Sequence, residues 1–468
     1  MIKPEGLPSA VFCSNHVASM LFTNLTRASE IGANCYHLQW DDEGCLLDCG
    51  AHPKIEGGES LPRLDLLRNR PVDALCVSHG HLDHLGAVPV AARECQDIPI
   101  FATYATTLIA DRALHNSVNV MTRQRDELRL PEYPLFTHGE VNRLLERFQP
   151  VAYGRPVPLG EAEITFYEAG HIQGAAGIWI EFGDESVFYT GDVKFSDMRI
   201  TRGARFPERP PRTMIIECTR GGTPSQPGFT WDREIERLTA AIEEVFARGG
   251  SVLIPCFALG KTQEVLKLFH DLFEEGRMDE QPIFIGGLSR SYTEIYDELA
   301  DRSPRVCPGF RLQKKMDLVV VETREARAMH VGRGRLLVVS SGMMTPFTMS
   351  HLMARRVVER ESNAVFFVGY VDPESPAGKL KAGGTGARVD LGGDVGEVEV
   401  RSRVESFDFT SHCNREHMLD CVLRLRPRNV LLVHGDPAGI EWYRQQLAVL
   451  LPEARVIVPP SGQTVDLS

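Results

Sequence analysis

Four metal-binding side chains lie within six residues of the chain. His79, His81, Asp83 and His84 form an H-x-H-x-D-H pattern directly after residues 74–77, an apolar run typical of a buried strand. Imidazole nitrogens and carboxylate oxygens are the ligands that zinc prefers in proteins. One tetrahedral ion cannot use four ligands from a single short loop, so the pattern predicts a centre with two metal ions.

Three further candidate ligands, His171, Asp192 and His434, follow predicted strands, and each stands beside a glycine. The carboxyl ends of strands in α/β folds line one rim of the sheet, and glycine permits a close backbone approach there. The ligands divide between two ions and a bridge: His79, His81 and His171; Asp83, His84 and His434; and Asp192. Two ions about 3.5–4 Å apart can share a hydroxide nucleophile and hold the oxygens of a phosphoryl group.

Asp48 ends another predicted strand, residues 45–48, two residues before Gly50. A carboxylate at this place can accept the N–H of a ligand histidine and so fix the orientation of the ring. The alternative is an aspartate that only forms the turn. We expect the first role, with Asp48 supporting a ligand histidine from outside the metal site.

The predicted elements change character along the chain. Residues 104–148 are predicted to be mostly helical, from periodic apolar positions such as Val141, Leu144 and Phe148. After the prolines at 207–211, predicted strands alternate with helices, which indicates a parallel sheet with helices on its faces; the strands are 214–216, 251–255, 282–285, 335–339 and 365–368, and the helices are 232–248 and 260–275. A glycine-rich stretch, 383–393, then marks a return to the first domain.

Composition sets outer limits on the function. The 468 residues exceed the roughly 250–300 that one hydrophobic core usually serves, so two domains are expected. A net charge of −12 argues against a nucleic-acid coat protein, but carboxylates that hold metal ions carry part of such a charge, so a nuclease remains possible. The 11 cysteines form no C-x-x-C pair, which favours reduced core residues over a zinc knuckle or disulfides.

No apolar stretch approaches the roughly 20 residues that cross a bilayer, and residues 1–8 carry no signal-peptide core. We therefore expect a cytoplasmic protein without membrane contact.

Together these residues resemble the metallo-β-lactamase superfamily, and more narrowly its β-CASP nucleases, over almost the whole chain. Asp48, the 79–84 loop, His171 and Asp192 match the four superfamily motifs, and the β-CASP motifs are matched by Glu217, His412 and His434. The resemblance implies an α/β fold: a metallo-β-lactamase αββα sandwich with an inserted α/β β-CASP domain, a parallel sheet flanked by helices. The implied boundaries are 1–210 and 383–468 for the sandwich and 211–382 for the insert, with Glu217 after the insert's first strand.

The resemblance also implies a zinc-dependent ribonuclease that holds two Zn²⁺ ions and hydrolyses phosphodiester bonds of single-stranded RNA. A histidine at the third β-CASP motif, here His434, goes with the RNA-directed members. His412 would protonate the leaving oxygen, because imidazole can supply a proton near neutral pH, and Glu217 would orient His412. The candidate catalytic set is Asp48, Asp83, Glu217 and His412.

Further candidates could hold substrate phosphate through backbone N–H groups, hydroxyls or point charges: Ser340, Ser341, Gly342, Lys261 and Lys379. The expected partner is single-stranded RNA, and a homodimer is plausible by analogy. Three alternatives stay open: a nuclease acting on DNA or on both nucleic acids, a hydrolase of a small ester or phosphodiester, and a non-catalytic scaffold.

Overall fold

The computed structural model describes residues 20–28, 30–328 and 331–468. Its strands are β1 Met20–Asn24, β2 Tyr36–Trp40, β3 Glu43–Leu47, β4 Ala74–Cys76, β5 Ile100–Thr103, β6 Phe148–Val151, β7 Val157–Leu159, β8 Ala162–Glu168, β9 Ala176–Phe182, β10 Glu185–Tyr189, β11 Thr213–Glu217, β12 Val252–Pro255, β13 Ile283–Gly286, β14 Leu318–Val321, β15 Leu336–Val339, β16 Ala364–Val368, β17 Arg388–Asp390, β18 Glu397–Glu399, β19 Arg403–Phe407, β20 Asn429–Val433, β21 Arg455–Ile457 and β22 Thr464–Asp466.

Its helices are α1 Leu82–Leu85, α2 Val88–Glu94, α3 Tyr104–Glu127, α4 His138–Leu145, α5 Trp231–Ala247, α6 Lys261–Glu274, α7 Leu288–Glu298, α8 Leu312–Lys315, α9 Thr323–Ala328, α10 Met349–Val358, α11 Pro376–Gly383, α12 Arg415–Leu425 and α13 Pro437–Leu450. None of the helices in the described ranges is long and apolar enough to cross a bilayer. The prediction about residues 1–8 lies outside the described residues.

Two seven-stranded sheets pack face to face to form the metal domain. The first runs in the order β22-β1-β2-β3-β4-β5-β6 and the second in the order β21-β20-β11-β10-β9-β8-β7. Apolar side chains of both sheets fill the core between them, such as Phe22 and Tyr36 from the first sheet and Ile178 and Leu431 from the second. Helices α2, α3 and α4 cover the outer face of the first sheet, and α12 and α13 that of the second. These four layers are the expected αββα sandwich.

The inserted domain is built on a third sheet, in the order β14-β13-β15-β12-β16-β19, with every strand pair parallel. The central strands β12, β15 and β16 are buried along their whole length. Separate apolar clusters lie on the two faces of the sheet, against α5–α8 on one face and α9–α11 on the other. This is the expected parallel sheet flanked by helices.

Three sequence predictions were wrong about where a strand belongs. The chain was expected to return to the sandwich at residue 383, but β19 pairs in parallel with β16 of the inserted sheet. Strand β11, which ends at Glu217, was expected to open the inserted domain, but it pairs in parallel with β10 and β20 in the second sheet of the metal domain. The apolar run 214–216 indicates burial but not the partner, and β20 lies more than two hundred residues further along the chain. Phe148 was expected in a helix, yet α4 ends at Leu145 and Phe148 begins β6 beside β5.

Candidate metal centre

The predicted ligands gather at one rim because their strands end there. Strands β8, β10 and β20 run in the same direction in the second sheet, and β4 ends at the facing edge of the first sheet. His171, Asp192 and His434 follow the three strands of the second sheet within three residues, and His79 follows β4. Sequence-distant side chains thereby come within a few ångströms of one another, in the arrangement that the strand-end argument predicts.

His79, His81, His171 and Asp192 form the first ligand group, with their donor atoms within 4.8 Å of one another. His81 Nδ1 lies 3.1 Å from His79 Nε2 and 3.0 Å from His171 Nε2. Ligands on one tetrahedral zinc stand about 3.3 Å apart when Zn–N bonds are 2.0–2.1 Å long, so the spacing is close to that of a zinc site. Burial lowers the pKa of all three histidines, which keeps them in the neutral form that ligates metal.

Hydrogen bonds on the far side of the rings set the tautomers of this group. His171 Nδ1 donates to the Ser411 carbonyl at 3.0 Å. The Ser78 hydroxyl donates to Asp48, so it accepts from His79 Nδ1, 3.0 Å away. Both rings therefore direct Nε2 lone pairs at one point. The donor set of three imidazole nitrogens and one carboxylate oxygen is one that suits zinc.

The second group is Asp83, His84 and His434. Asp192 of the first group lies beside both of its histidines. Asp192 Oδ1 lies 3.4 Å from His84 Nε2 and its Oδ2 lies 3.6 Å from His79 Nε2, so the carboxylate faces both groups. Asp192 Oδ1 is buried and accepts no hydrogen bond from the described residues, although His434 Nδ1 is 2.9 Å away. A buried carboxylate oxygen without a hydrogen bond between two ligand groups suits a bridging metal ligand.

Negative charge concentrates around this second group. Burial lowers the pKa of His84, but Asp192, Asp83 and Asp48 outweigh burial and hold the pKa well above its usual value. Likewise, burial raises the pKa of Asp192, but His434 and His84 together hold it well below the usual range. An ionised carboxylate cluster of this kind attracts a cation, which compensates the buried charge.

Asp48 lies directly behind the second group. Its Oδ2 accepts from His84 Nδ1, the Ser78 hydroxyl and the Tyr189 hydroxyl, each at 2.7 Å, and its Oδ1 accepts from the Ser78 N–H at 2.7 Å. Asp48 has φ 59°, and the chain turns sharply at this point. At Gly50 a Cβ would lie 1.7 Å from the Asp83 carbonyl oxygen, so only glycine permits this close packing against the metal loop.

The Glu217 and His412 side chains meet beside the first group, although their strands belong to different domains. Glu217 is the last residue of β11, and His412 follows β19, the edge strand of the inserted sheet. His412 Nδ1 lies 3.0 Å from Glu217 Oε2, while Glu217 Oε1 accepts from the Val193 N–H at 2.6 Å. His412 Nε2 remains on the side of Asp192, 4.0 Å from Oδ2, and a fifth of its side chain is exposed.

Three family models match successive parts of the chain: the metallo-β-lactamase superfamily over residues 29–243, the β-CASP domain over 262–380, and the Zn-dependent metallo-hydrolase RNA specificity domain over 397–459. The chain belongs to the β-CASP branch of the metallo-β-lactamase superfamily. The predicted family is thereby confirmed.

Several proteins of this β-CASP branch match nearly the whole chain. Cleavage and polyadenylation specificity factor subunit 3 of Dictyostelium discoideum is 27% identical over 457 residues, which are 95% of this chain and 57% of that protein. Endoribonuclease YSH1 of Candida albicans is 24% identical over 426 residues, 89% of this chain and 48% of that protein. RNase aCSPSF2 of Saccharolobus solfataricus is 26% identical over 450 residues, 94% of this chain and 83% of that protein. The chain thus spans about half the length of the first two.

The fold also matches a solved structure. The crystal structure of a protein of unknown function from Enterococcus faecalis V583 aligns with a TM-score of 0.58 at 12% identity, over 96% of this chain and 100% of that chain. This likeness concerns the fold alone.

The candidate phosphate-binding residues of this β-CASP chain differ in location and burial, whereas its candidate metal ligands lie together. Ser340, Ser341 and Gly342 follow β15 at the rim of the inserted sheet, and the Ser341 hydroxyl already accepts from the Thr345 N–H at 3.1 Å. Lys261 is buried at the start of α6, where its amine donates to the Phe409 carbonyl. Lys379 is exposed on α11, and no hydrogen bond or ion pair in the described ranges joins it to the metal centre.

Sequence reasoning missed several residues that hold the ligands in place. Asn34 Nδ2 lies 3.1 Å from His84 Nε2, and the Thr219 hydroxyl lies 3.1 Å from His434 Nδ1. Tyr189 and Ser78 both donate to Asp48. Ser78 and Tyr189 are close in sequence to predicted ligands, which could have singled them out, whereas nothing in the local sequence connects Asn34 with His84.

Proposed function

We propose that this chain is a zinc-dependent ribonuclease that hydrolyses phosphodiester bonds of single-stranded RNA. One observation carries the proposal: Asp192 belongs to the first ligand group, its Oδ1 also lies 3.4 Å from His84 Nε2 of the second group, and the Glu217–His412 pair lies against the same carboxylate. The relatives named as an endoribonuclease and as an RNase support RNA as the substrate.

Two zinc ions would be held by the residues of the two groups, with Asp192 between them. When bound, the ions would supply Lewis acidity and water of lowered pKa for attack on phosphorus. The protein fixes the ligand geometry in advance through the hydrogen bonds of Asp48 to His84 and of Ser411 to His171. Supporting contacts of this kind orient ligands and tune metal affinity.

His412 is the residue suited to protonate the leaving oxygen. Its Nδ1 is engaged by Glu217, so Nε2 is the atom that faces a substrate beside Asp192 and gives up the proton. Glu217 holds the ring orientation and stabilises the positive charge of the imidazolium form, as a carboxylate does behind a catalytic histidine. The Val193 N–H in turn fixes Glu217.

The proposal includes a cytoplasmic location and a homodimer. The ten cysteines of the described residues are all free thiols, which suits a reducing compartment. The homodimer rests on analogy, and light scattering of the purified protein would test it, because a monomeric mass would contradict it.

The decisive experiment uses end-labelled single-stranded RNA and single-stranded DNA of one sequence, each incubated with the zinc-loaded protein. A double variant, Asp83→Ala with His84→Ala, serves as the control because both side chains belong to the second ligand group. We expect fragments from the RNA and none from the control. The sizes of the fragments separate internal cleavage from removal of nucleotides at an end.

Two results would contradict the proposal. Cleavage of DNA at a rate equal to that of RNA would indicate a nuclease without RNA specificity. The second result is that protein with two bound zinc ions cleaves neither polymer but hydrolyses bis(p-nitrophenyl) phosphate. This result would indicate a small-molecule phosphodiesterase.

A further inference from the structure

The exposed aromatic side chains of the described ranges all follow strands of the inserted sheet. Phe257, Phe347 and Tyr370 are the exposed aromatic residues there, with 42%, 40% and 60% of their surface accessible. Phe257 follows β12, Phe347 lies in the segment after β15, and Tyr370 follows β16. These three strands are neighbours in the order β15-β12-β16, so the rings follow the carboxyl ends of adjacent strands.

Two of these rings follow strands that pair with each other. Leu253 of β12 pairs in parallel with Val365 of β16, and Phe257 and Tyr370 each stand two residues beyond the end of their strand. Adjacent strands are about 4.8 Å apart, so the two rings leave the sheet from neighbouring positions. We call Phe257 and Tyr370 the aromatic rim.

The aromatic rim adjoins the metal centre. A Cβ on Gly369, the residue before Tyr370, would lie 3.6 Å from Lys261 Cε, and the Lys261 amine donates to the Phe409 carbonyl in the loop that carries His412. On the other side, Lys54 of the metal domain forms an ion pair of 2.6 Å with Asp372, two residues after Tyr370. The rim therefore lies where the two domains meet.

Positive charge lies beneath the rim. Lys261 and Lys194 are both buried, and each donates to a backbone carbonyl, of Phe409 and of His412 respectively. In the described ranges no ion pair joins either amine to a carboxylate. The neighbouring Asp408 is engaged by both guanidinium nitrogens of Arg220, at 2.9 and 3.1 Å. The charges of these two amines, which no carboxylate of the described residues pairs, favour the approach of a polyanion.

We propose that the aromatic rim is a stacking platform for unpaired bases of single-stranded RNA next to the cleaved phosphate. The proposal rests on the proposed function and adds the way in which the substrate is held. Aromatic side chains stack on any base, because every base has a π face, and such contacts accompany a positively charged path for the backbone. Base-paired RNA cannot use the rim, since its bases are stacked within the helix.

The test measures RNA binding without cleavage, in a His412→Ala background, by fluorescence anisotropy at fixed salt. Three labelled probes of one sequence are compared: single-stranded RNA, the same strand with abasic nucleotides at its centre, and the duplex. Phe257→Leu and Tyr370→Leu remove the rings, Tyr370→Phe keeps one, and Val449→Ala alters an exposed apolar side chain on α13.

We expect each leucine substitution to weaken binding of the intact single strand about tenfold, and Tyr370→Phe and Val449→Ala to leave it within twofold. The abasic strand and the duplex should bind equally to the parent and to the leucine variants. Leucine variants that bind the intact strand within twofold of the parent would overturn the proposal, as would an equal loss with abasic RNA. Because cleavage is assayed separately on the wild-type protein, a failure of the ribonuclease proposal is distinguishable from a failure of the rim.

Discussion

The carboxyl ends of the strands of two sheets, here called the two edges, lie where the domains meet. They carry opposite kinds of side chain. The edge of the second sheet in the metal domain presents Asp192, Glu217 and His434, which are buried and contacted by polar neighbours. The edge of the inserted sheet presents the exposed rings of Phe257 and Tyr370 above buried lysines. Chemistry at a metal needs donors held at fixed positions, whereas recognition of many sequences needs accessible surface.

His412 is where the two edges meet. It follows the edge strand β19 of the inserted sheet, yet its ring lies against Glu217 and 4.4 Å, centroid to centroid, from the His171 ring. The proposed catalytic pair of Glu217 and His412 therefore forms only when the two domains are in contact. Substitutions on either side of this contact should therefore have separable effects.

Replacement of His412 should separate proton transfer from metal binding. We expect His412→Ala to lower the turnover number for RNA by about 10²–10⁴-fold, the usual range for a general acid, while both zinc ions are retained. Turnover and zinc content, the latter by atomic emission, are measured on the same preparation. His417→Ala, at an exposed position on the neighbouring helix α12, is the matched control. Turnover within a few-fold of the wild type would remove His412 from the mechanism.

Replacement of Asp48 should weaken zinc binding in the metal domain and leave RNA binding at the aromatic rim unchanged. Asp48→Asn removes the charge that holds His84, Ser78 and Tyr189, so we expect zinc affinity to fall by about 10–100-fold. Competition with a chromogenic chelator measures this affinity. The exposed Asp42→Asn, in the turn between β2 and β3, should have no effect. Unchanged zinc affinity in Asp48→Asn would show that Asp48 serves only the turn.

Replacement of Glu264 should loosen the contact between the domains. Its carboxylate on α6 accepts from the N–H groups of residues 199, 200 and 201 of the metal domain at 2.7–2.9 Å, and from the Thr201 hydroxyl at 2.8 Å. We expect Glu264→Gln to lower the free energy of unfolding by about 1–3 kcal/mol, since hydrogen bonds to a charged group are lost. Chemical denaturation followed by tryptophan fluorescence measures the change.

The control for this variant is Glu274→Gln, at the exposed far end of the same helix. Equal stability of the two variants would mean that the Glu264 contacts contribute nothing to holding the domains together.

Most of the candidate metal ligands could be predicted from local sequence patterns. The 79–84 loop combines ligand type and spacing within six residues, so the convergence of its side chains is nearly independent of the rest of the fold. The strand-end positions of His171, Asp192 and His434 needed only the rule about carboxyl ends. Pairing over long distances could not be predicted: Glu217 was placed in the wrong domain because its strand pairs with β20 near the end of the chain.

The exposed rings of the inserted sheet could not be predicted from the sequence. Phe257 and Tyr370 follow apolar strands, as do many of the buried aromatic residues, so their types and spacing do not predict exposure. Exposure depends on what packs above the strand ends, which is a property of the assembled domains. Lys261 was a candidate phosphate ligand from the sequence, but its burial against the Phe409 carbonyl places its charge beneath the rim.

We propose that RNA hydrolysis depends on both metal sites, which Asp192 faces from one side each. The most direct measurement titrates metal-free protein with zinc and records the initial rate of RNA cleavage after each addition. We expect a rate that rises until two equivalents are bound per chain and then stays constant. Full activity at one equivalent, or cleavage by the metal-free protein, would contradict it.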